Sequence, residues 1–133
     1  MPTNEVLLPN VNREVYTDSA DFIGPKDTEM CIEAFTVSCG VITFHNEQGV
    51  AGIIHVSMGD KVQKVLGEAI YKAQSQGLQL GDFTLRRFKG SEQIWRDTEK
   101  AFANFGLKLP KWETTIEPGI RINKSTGEVS FYV

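Results

Sequence analysis

Cysteine and histidine are the side chains of this chain best suited to covalent chemistry near neutral pH, and they occur as Cys31, Cys39, His45 and His55. A thiol becomes a working nucleophile when a base takes its proton, donors await the oxyanion, and a further group orients the base. Cys39 stands at the front of the run CGVITFH, and His55 lies inside GIIHVSM. The polar turn Asn46-Glu47-Gln48-Gly49 joins the two runs, so they pair as a hairpin and side chains on one face meet across it. Cys39 and His55 then read either as nucleophile and base or as two core residues, since free cysteine is among the most buried residue types. His45 directly precedes the polar turn, a strand end expected in solvent. His55, flanked by Ile53, Ile54 and Val56, belongs to a strand interior, where burial and neighbours shift a pKa.

Other chemistries find less support. Two cysteines and two histidines show no CxxC, HxH or HExxH spacing, so no metal site is expected. Neither GxGxxG nor a P-loop lysine motif occurs, and no cofactor is expected. The 14 Lys and Arg are scattered and outweighed by 17 Asp and Glu, giving a net charge of −3. That is no footprint for a nucleic acid, which calls for a basic face. Apolar stretches fall far short of the roughly 20 residues of a membrane span. No basic region followed by an apolar block opens the sequence, so a cytoplasmic location is expected. The cysteines, eight positions apart, are expected as free thiols rather than a disulfide framework.

The elements that must position these residues follow from periodicity. At 133 residues, 41% of them hydrophobic, the chain is expected to be one domain spanning residues 1–133. Residues 1–30, with Pro2, Pro9, Gly24 and Pro25, read as an irregular N-terminal arm with one short strand around 14–16. Three β-rich runs follow, 31–38, 41–45 and 50–57. Asp60 is expected to cap a helix whose apolar residues Val62, Val65, Leu66, Ala69, Ile70 and Ala73 share one face, with Gly77 as its stop. FTLRRF alternates as a strand. Ser91 caps a second helix with the stripe Ile94, Trp95, Thr98, Ala101, Phe102 and Phe105, ended by Gly106, while Glu92, Arg96, Asp97, Glu99 and Lys100 form its solvated face. Strands at 112–116, 120–123 and 128–133 close the chain, the last two around the turn Lys124-Ser125-Thr126-Gly127. This order predicts an α+β fold, an antiparallel-rich layered sheet packed with two amphipathic helices.

The same order of elements, over about residues 30–133, resembles the chemoreceptor glutamine deamidase (CheD) family and, more distantly, deamidase toxins of the cytotoxic necrotizing factor type. The resemblance rests on VSCGVITF, on AGIIHVSM before an amphipathic helix, on LRRFKGS, on NFGLKLP and on the terminal INKSTGEVSFYV. It implies an α/β/β sandwich in which Cys39 is the nucleophile and His55 its base. The family's third residue is a threonine six positions before the cysteine, where this chain has Glu33. Along a regular strand, positions six apart share a face and positions three apart do not. Glu33 is therefore the geometric choice to orient His55, and Thr36 would need a bulge. The family's glycine before Ser-Cys is Val37 here, and its double glycine is Gly90 followed by Ser91.

The implied function is a bacterial cytoplasmic hydrolase that converts a glutamine side chain of a protein substrate, such as a chemoreceptor, to glutamate through a thioester. Two other readings are a non-catalytic protein-binding module on the same scaffold, suggested by Val37 and Ser91, and a secreted effector that deamidates a host protein.

Overall fold

A computed structural model describes residues 12–35, 40–115 and 117–132. Among them the chain forms β1 (Asn12–Glu14), β2 (Ser19–Ile23), β3 (Cys31–Phe35), β4 (Gly40–His45), β5 (Ala51–Val56), α1 (Val62–Ser75), β6 (Thr84–Phe88), α2 (Glu92–Asn104), β7 (Trp112–Glu113), β8 (Gly119–Asn123) and β9 (Val129–Tyr132). A five-stranded sheet runs in the order β2-β5-β4-β6-β7 and a four-stranded one in the order β1-β3-β8-β9. Pairing is antiparallel except for β1 with β3 and β6 with β7. The helices cover one face of the five-stranded sheet and the four-stranded sheet covers the other, so the fold is α+β, a layered α/β/β sandwich. No described helix is long and apolar enough to cross a membrane.

The pleat explains why β4 and β5 are apolar throughout. Side chains alternate between faces, and here each face meets a core. Ile54 and Val56 of β5 and Ile42 and Phe44 of β4 pack with Val65, Leu66, Trp95 and Phe102 of the helices. Ala51, Ile53 and Val41 point the opposite way, onto Ile32, Ala34, Ile120 and Ile122 of the outer sheet. A strand buried on both faces reads as a continuous hydrophobic run.

The hairpin turn forms as its sequence requires. Asn46 Oδ1 accepts from the N–H groups of Gln48 and Val50, and Gly49 takes the left-handed φ of +80° that glycine adopts without cost. Both helices close with a left-handed glycine. Leu78 N–H reaches back to Ala73 O beside Gly77, and Leu107 N–H to Phe102 O beside Gly106, the paired bonds of a Schellman ending. Ser91 caps α2 by accepting from Ile94 N–H at 3.2 Å.

Several expectations are corrected. Residues 12–30 are not an irregular arm: β1 lies at Asn12–Glu14, and β2 was not foreseen at all. Tertiary contacts make β2 a strand. It pairs with β5 along its length, Ala20 and Phe22 face the helices, and α1 holds its backbone through Glu68 to Ala20 N–H and Lys72 to Ala20 O. Asp60 does not cap α1, because it lies within a 3₁₀ turn, Gly59–Lys61, that precedes the helix. Only Trp112–Glu113 of the strand expected at 112–116 pairs, and Ile116 lies outside the described residues. Phe105 is exposed rather than buried, since it occupies the C-cap position where the helical stripe ends.

Gly52 shows how tightly the helix-side core is packed. Phe22 is its partner across β2 and β5, and a Cβ at position 52 would stand 2.3 Å from that buried ring. Gly67, on the exposed side of α1, has nothing within 4 Å of its Cβ position. Gly52→Ala is expected to lower stability by about 1–3 kcal/mol through overpacking. Gly67→Ala should raise it by about 0.5–1 kcal/mol by removing a helical glycine. Urea unfolding checks both, as opposite shifts of the midpoint at an unchanged slope.

Candidate functional site

His55 belongs to the set of β5 residues that faces the outer sheet, in line with Ala51 and Ile53. It is 1% exposed. An imidazole in such a place needs a hydrogen-bond partner, because burying an unpaired polar group costs about 1–3 kcal/mol. Its Nδ1 lies 2.9 Å from the main-chain carbonyl of Val15, just beyond the end of β1. A carbonyl only accepts, so Nδ1 carries the proton and Nε2 keeps its lone pair. Nε2 has no hydrogen-bond partner among the described residues. Burial lowers the His55 pKa below its ordinary 6.5, against the opposing pull of the Val15 carbonyl and of the Asp18 and Glu14 charges. The ring is therefore neutral at neutral pH, with one nitrogen anchored and the other ready to accept a proton.

Register sets what lies beside it. Val41 is the Cα partner of His55, and Gly40, the first residue of β4, is the partner of Val56. The peptide bond places Cys39 immediately before Gly40. Cys39 itself, with Thr36, Val37 and Ser38, lies outside the described residues. Gly40 is glycine for a packing reason: a Cβ there would stand 2.8 Å from Ile94 and 3.4 Å from Trp95 of α2. Gly90, at φ +85°, makes the reciprocal approach, its Cβ position being 3.1 Å from Gly40 Cα. The turn from β6 to α2 thus lies directly against the start of β4.

Glu33 does not orient His55. Its neighbours Ile32 and Ala34 point into the layer between the sheets, so the pleat turns Glu33 to the outer face of the four-stranded sheet. There its carboxylate accepts from Arg121 Nε at 2.9 Å and from Asn12 Nδ2 at 3.1 Å. The expectation assumed one regular strand from Glu33 to Cys39. In fact β3 ends at Phe35 in one sheet and β4 begins at Gly40 in the other, which removes the parity that would have linked them. The group that holds His55 is the backbone carbonyl of Val15, within the short strand expected around 14–16, and main-chain acceptors leave no residue-type signal in a sequence.

His45 is also placed differently from expectation. It is half-buried at the opposite end of the β4–β5 hairpin, where its Nε2 lies 3.0 Å from Lys124 O and its ring packs against Gly127. It borders an open cleft of about 400 Å³ with Glu47 and Asp82, but Nε2 is already engaged. Cys31 is a free thiol on the outer sheet, and burial pushes its pKa up, against the nearby Arg121 charge. Lys89, buried beside Gly90, directs its ammonium at Glu117 O; burial lowers its pKa, opposed by the Glu117 charge. Among the described residues no group of three His, Cys, Asp or Glu side chains could hold a metal ion. The chain matches no protein-family model, and comparison with curated proteins gives no match.

The buried neutral state of His55 has a thermodynamic signature. Its folded pKa is depressed, so between that value and the unfolded value near 6.5 the unfolded chain binds more protons than the native one. Stability from this source is complete above the unfolded pKa and is lost as pH falls through the folded one. Denaturation of wild type and His55→Gln at about pH 7.5 and about pH 5 checks the sign: wild type should lose more stability on acidification than the variant.

Proposed function

We propose that the chain is a cysteine-dependent protein-glutamine deamidase, working with Cys39 as nucleophile and His55 as base. The observation that carries this reading is the state of His55: buried, neutral, tied at Nδ1, and without a partner at Nε2 among the described residues, on the strand paired with the one that begins next to Cys39. One nitrogen tied to a carbonyl and the other without a partner among the described residues is the arrangement a general base requires. The likeness to the chemoreceptor glutamine deamidases in the order VSCGVITF, AGIIHVSM and LRRFKGS supports the same assignment.

In the proposed reaction the Cys39 thiol gives its proton to His55 Nε2, and the thiolate attacks the carboxamide carbon of a glutamine side chain. Backbone N–H groups near residues 38–40 stabilise the oxyanion. The imidazolium protonates the departing ammonia as the C–N bond breaks, leaving a thioester. His55 then takes a proton from water, whose oxygen attacks the thioester carbon; the C–S bond breaks and the thiolate recovers its proton from the ring. Glutamine and water become glutamate and ammonia. The product carries a charge the substrate lacked, which makes the reaction a switch of the substrate's electrostatics. A chemoreceptor in a bacterial cytoplasm is the substrate and setting that the likeness favours.

The test begins without a substrate. Iodoacetamide at about pH 7 is expected to label Cys39 well before Cys31, because a thiol served by a base is ionised and a half-buried one is not. His55→Ala should abolish that preference. An inert Cys39 in the wild type would favour a binding module on this scaffold instead. With a glutamine-bearing receptor fragment, ammonia release should fall by about a hundredfold or more in His55→Ala and vanish in Cys39→Ser.

A further inference from the structure

We infer that Asp18 is a positioning residue for His55, acting through residues 15–18, which join β1 to β2. The inference deepens the deamidase reading, on which its kinetic consequence rests, while its geometry stands on the described residues alone. The segment grips His55 twice. Val15 O accepts from the ring at Nδ1, 2.9 Å away, and Asp18 N–H donates to the main-chain carbonyl of His55 at 2.7 Å. Each grip has its own anchor. Val15 N–H donates to Glu33 O of the outer sheet at 2.8 Å. The Asp18 carboxylate accepts from Ser57 N–H at 2.9 Å and from the Ser57 hydroxyl at 2.9 and 3.0 Å, just past the end of β5.

The Val15 side chain is seated in the core between the sheets. That fixes its Cα, but the direction of its carbonyl turns with the peptide plane that leads to residue 16. Between the anchors the chain has no packing to hold that plane, since Tyr16 is 70% exposed and Thr17 is exposed as well. The lock is at residue 18. Asp18 sits at φ +61°, in the left-handed region, which Asp and Asn tolerate better than most residues. Its carboxylate clamps that turn to Ser57, and the clamp aims the Val15 carbonyl at the ring. The charges that act on the imidazole are those of Asp18 and Glu14, both flanking this segment; Glu14 is the register partner of Glu33, on the face turned away from the ring. A partner that fixes the tautomer of a histidine determines which nitrogen does chemistry.

The experiment reads the tautomer directly, by nitrogen NMR of ¹⁵N-histidine-labelled protein. Wild-type His55 should show one neutral form, protonated at Nδ1 with an unprotonated Nε2. In Asp18→Gly, which accepts the positive φ but lacks the carboxylate, both ring nitrogens should move toward the values of mixed tautomers. Asp18→Asn, which keeps an acceptor oxygen and the same backbone tolerance, should restore the wild-type pattern. Ser57→Ala, which loses only the hydroxyl contacts, should fall between. With a glutamine substrate, Asp18→Gly should lower kcat roughly ten- to a hundredfold at an unchanged KM, and Asp18→Asn should recover most of it.

A folded Asp18→Gly that keeps the single Nδ1-protonated form overturns the inference. Where Asp18→Gly does not fold, an unchanged tautomer in Ser57→Ala does the same. Tautomer mixing in Asp18→Gly, together with a wild type that releases no ammonia from any glutamine substrate, upholds Asp18 as the positioning residue and removes the deamidase reading.

Discussion

The five-stranded sheet is covered on both faces, by the two helices on one side and by the four-stranded sheet on the other, and this double burial sets the terms for every polar group within it. A carbonyl, an imidazole or an ammonium in the middle layer cannot turn to water, so each must find its partner inside the fold. Arg87 lies at 4% exposure under α2, with its guanidinium 5.5 Å from the Trp95 ring and one nitrogen 2.9 Å from Glu99. Lys124 is buried at the hairpin end and donates to Gly24 O and Asp27 O. His55 answers the same demand with the Val15 carbonyl at one nitrogen, while the other has no partner among the described residues.

Arg87 Nε and Nη1, Trp95 Nε1 and Tyr132 Oη also lack a partner among the described residues, and what sets His55 apart is that its unpartnered atom carries a basic lone pair. Lys89 and Lys124 direct their ammonium groups at main-chain carbonyls, and each thereby holds a loop against the sandwich. Thr98 returns its hydroxyl to Ile94 O within its own helix at 2.6 Å. In all three cases the polar atom serves the fold. Nε2 of His55 meets no hydrogen-bond partner among the described residues, yet it is kept dry. A lone pair of that kind, next to the start of β4 and the Gly40–Gly90 contact, is the physical basis for treating this end of the sandwich as the working end.

What could be read in advance was whatever local periodicity encodes. The two helical faces, the Asn46–Gly49 turn, the glycine stops at Gly77 and Gly106 and the Ser91 cap all depend on residues a few positions apart, and all form. The misreadings share a cause of the opposite kind. β2 is a strand because β5 and α1 hold it, not because its polar-flanked sequence insists on it. Glu33 was assigned to the face of Cys39 by counting along one strand, whereas the chain changes sheets between Phe35 and Gly40. His55 was legible as an ionisable group inside an apolar run; its partner was not, since a backbone carbonyl of residue 15 has the same identity in every sequence.

Sheet order also carries a consequence for how the molecule comes into being. The peptide that steadies Val15 belongs to β3, and β3 lies between β1 and β8; Lys124, at the end of β8, ties back to Gly24 across a separation of 100 residues. The β4–β5 hairpin and the helices are local and can form while the chain is still being made, but the outer sheet has to wait for β8, and such distant pairings are the slow ones. Until then the side of His55 that faces the outer sheet is only partly covered, although Val15 and Asp18, which grip it, are already made. A nascent or truncated chain lacking β8 would thus carry His55 under an incomplete outer sheet, and the dry setting of its ring is acquired only once β8 is in place.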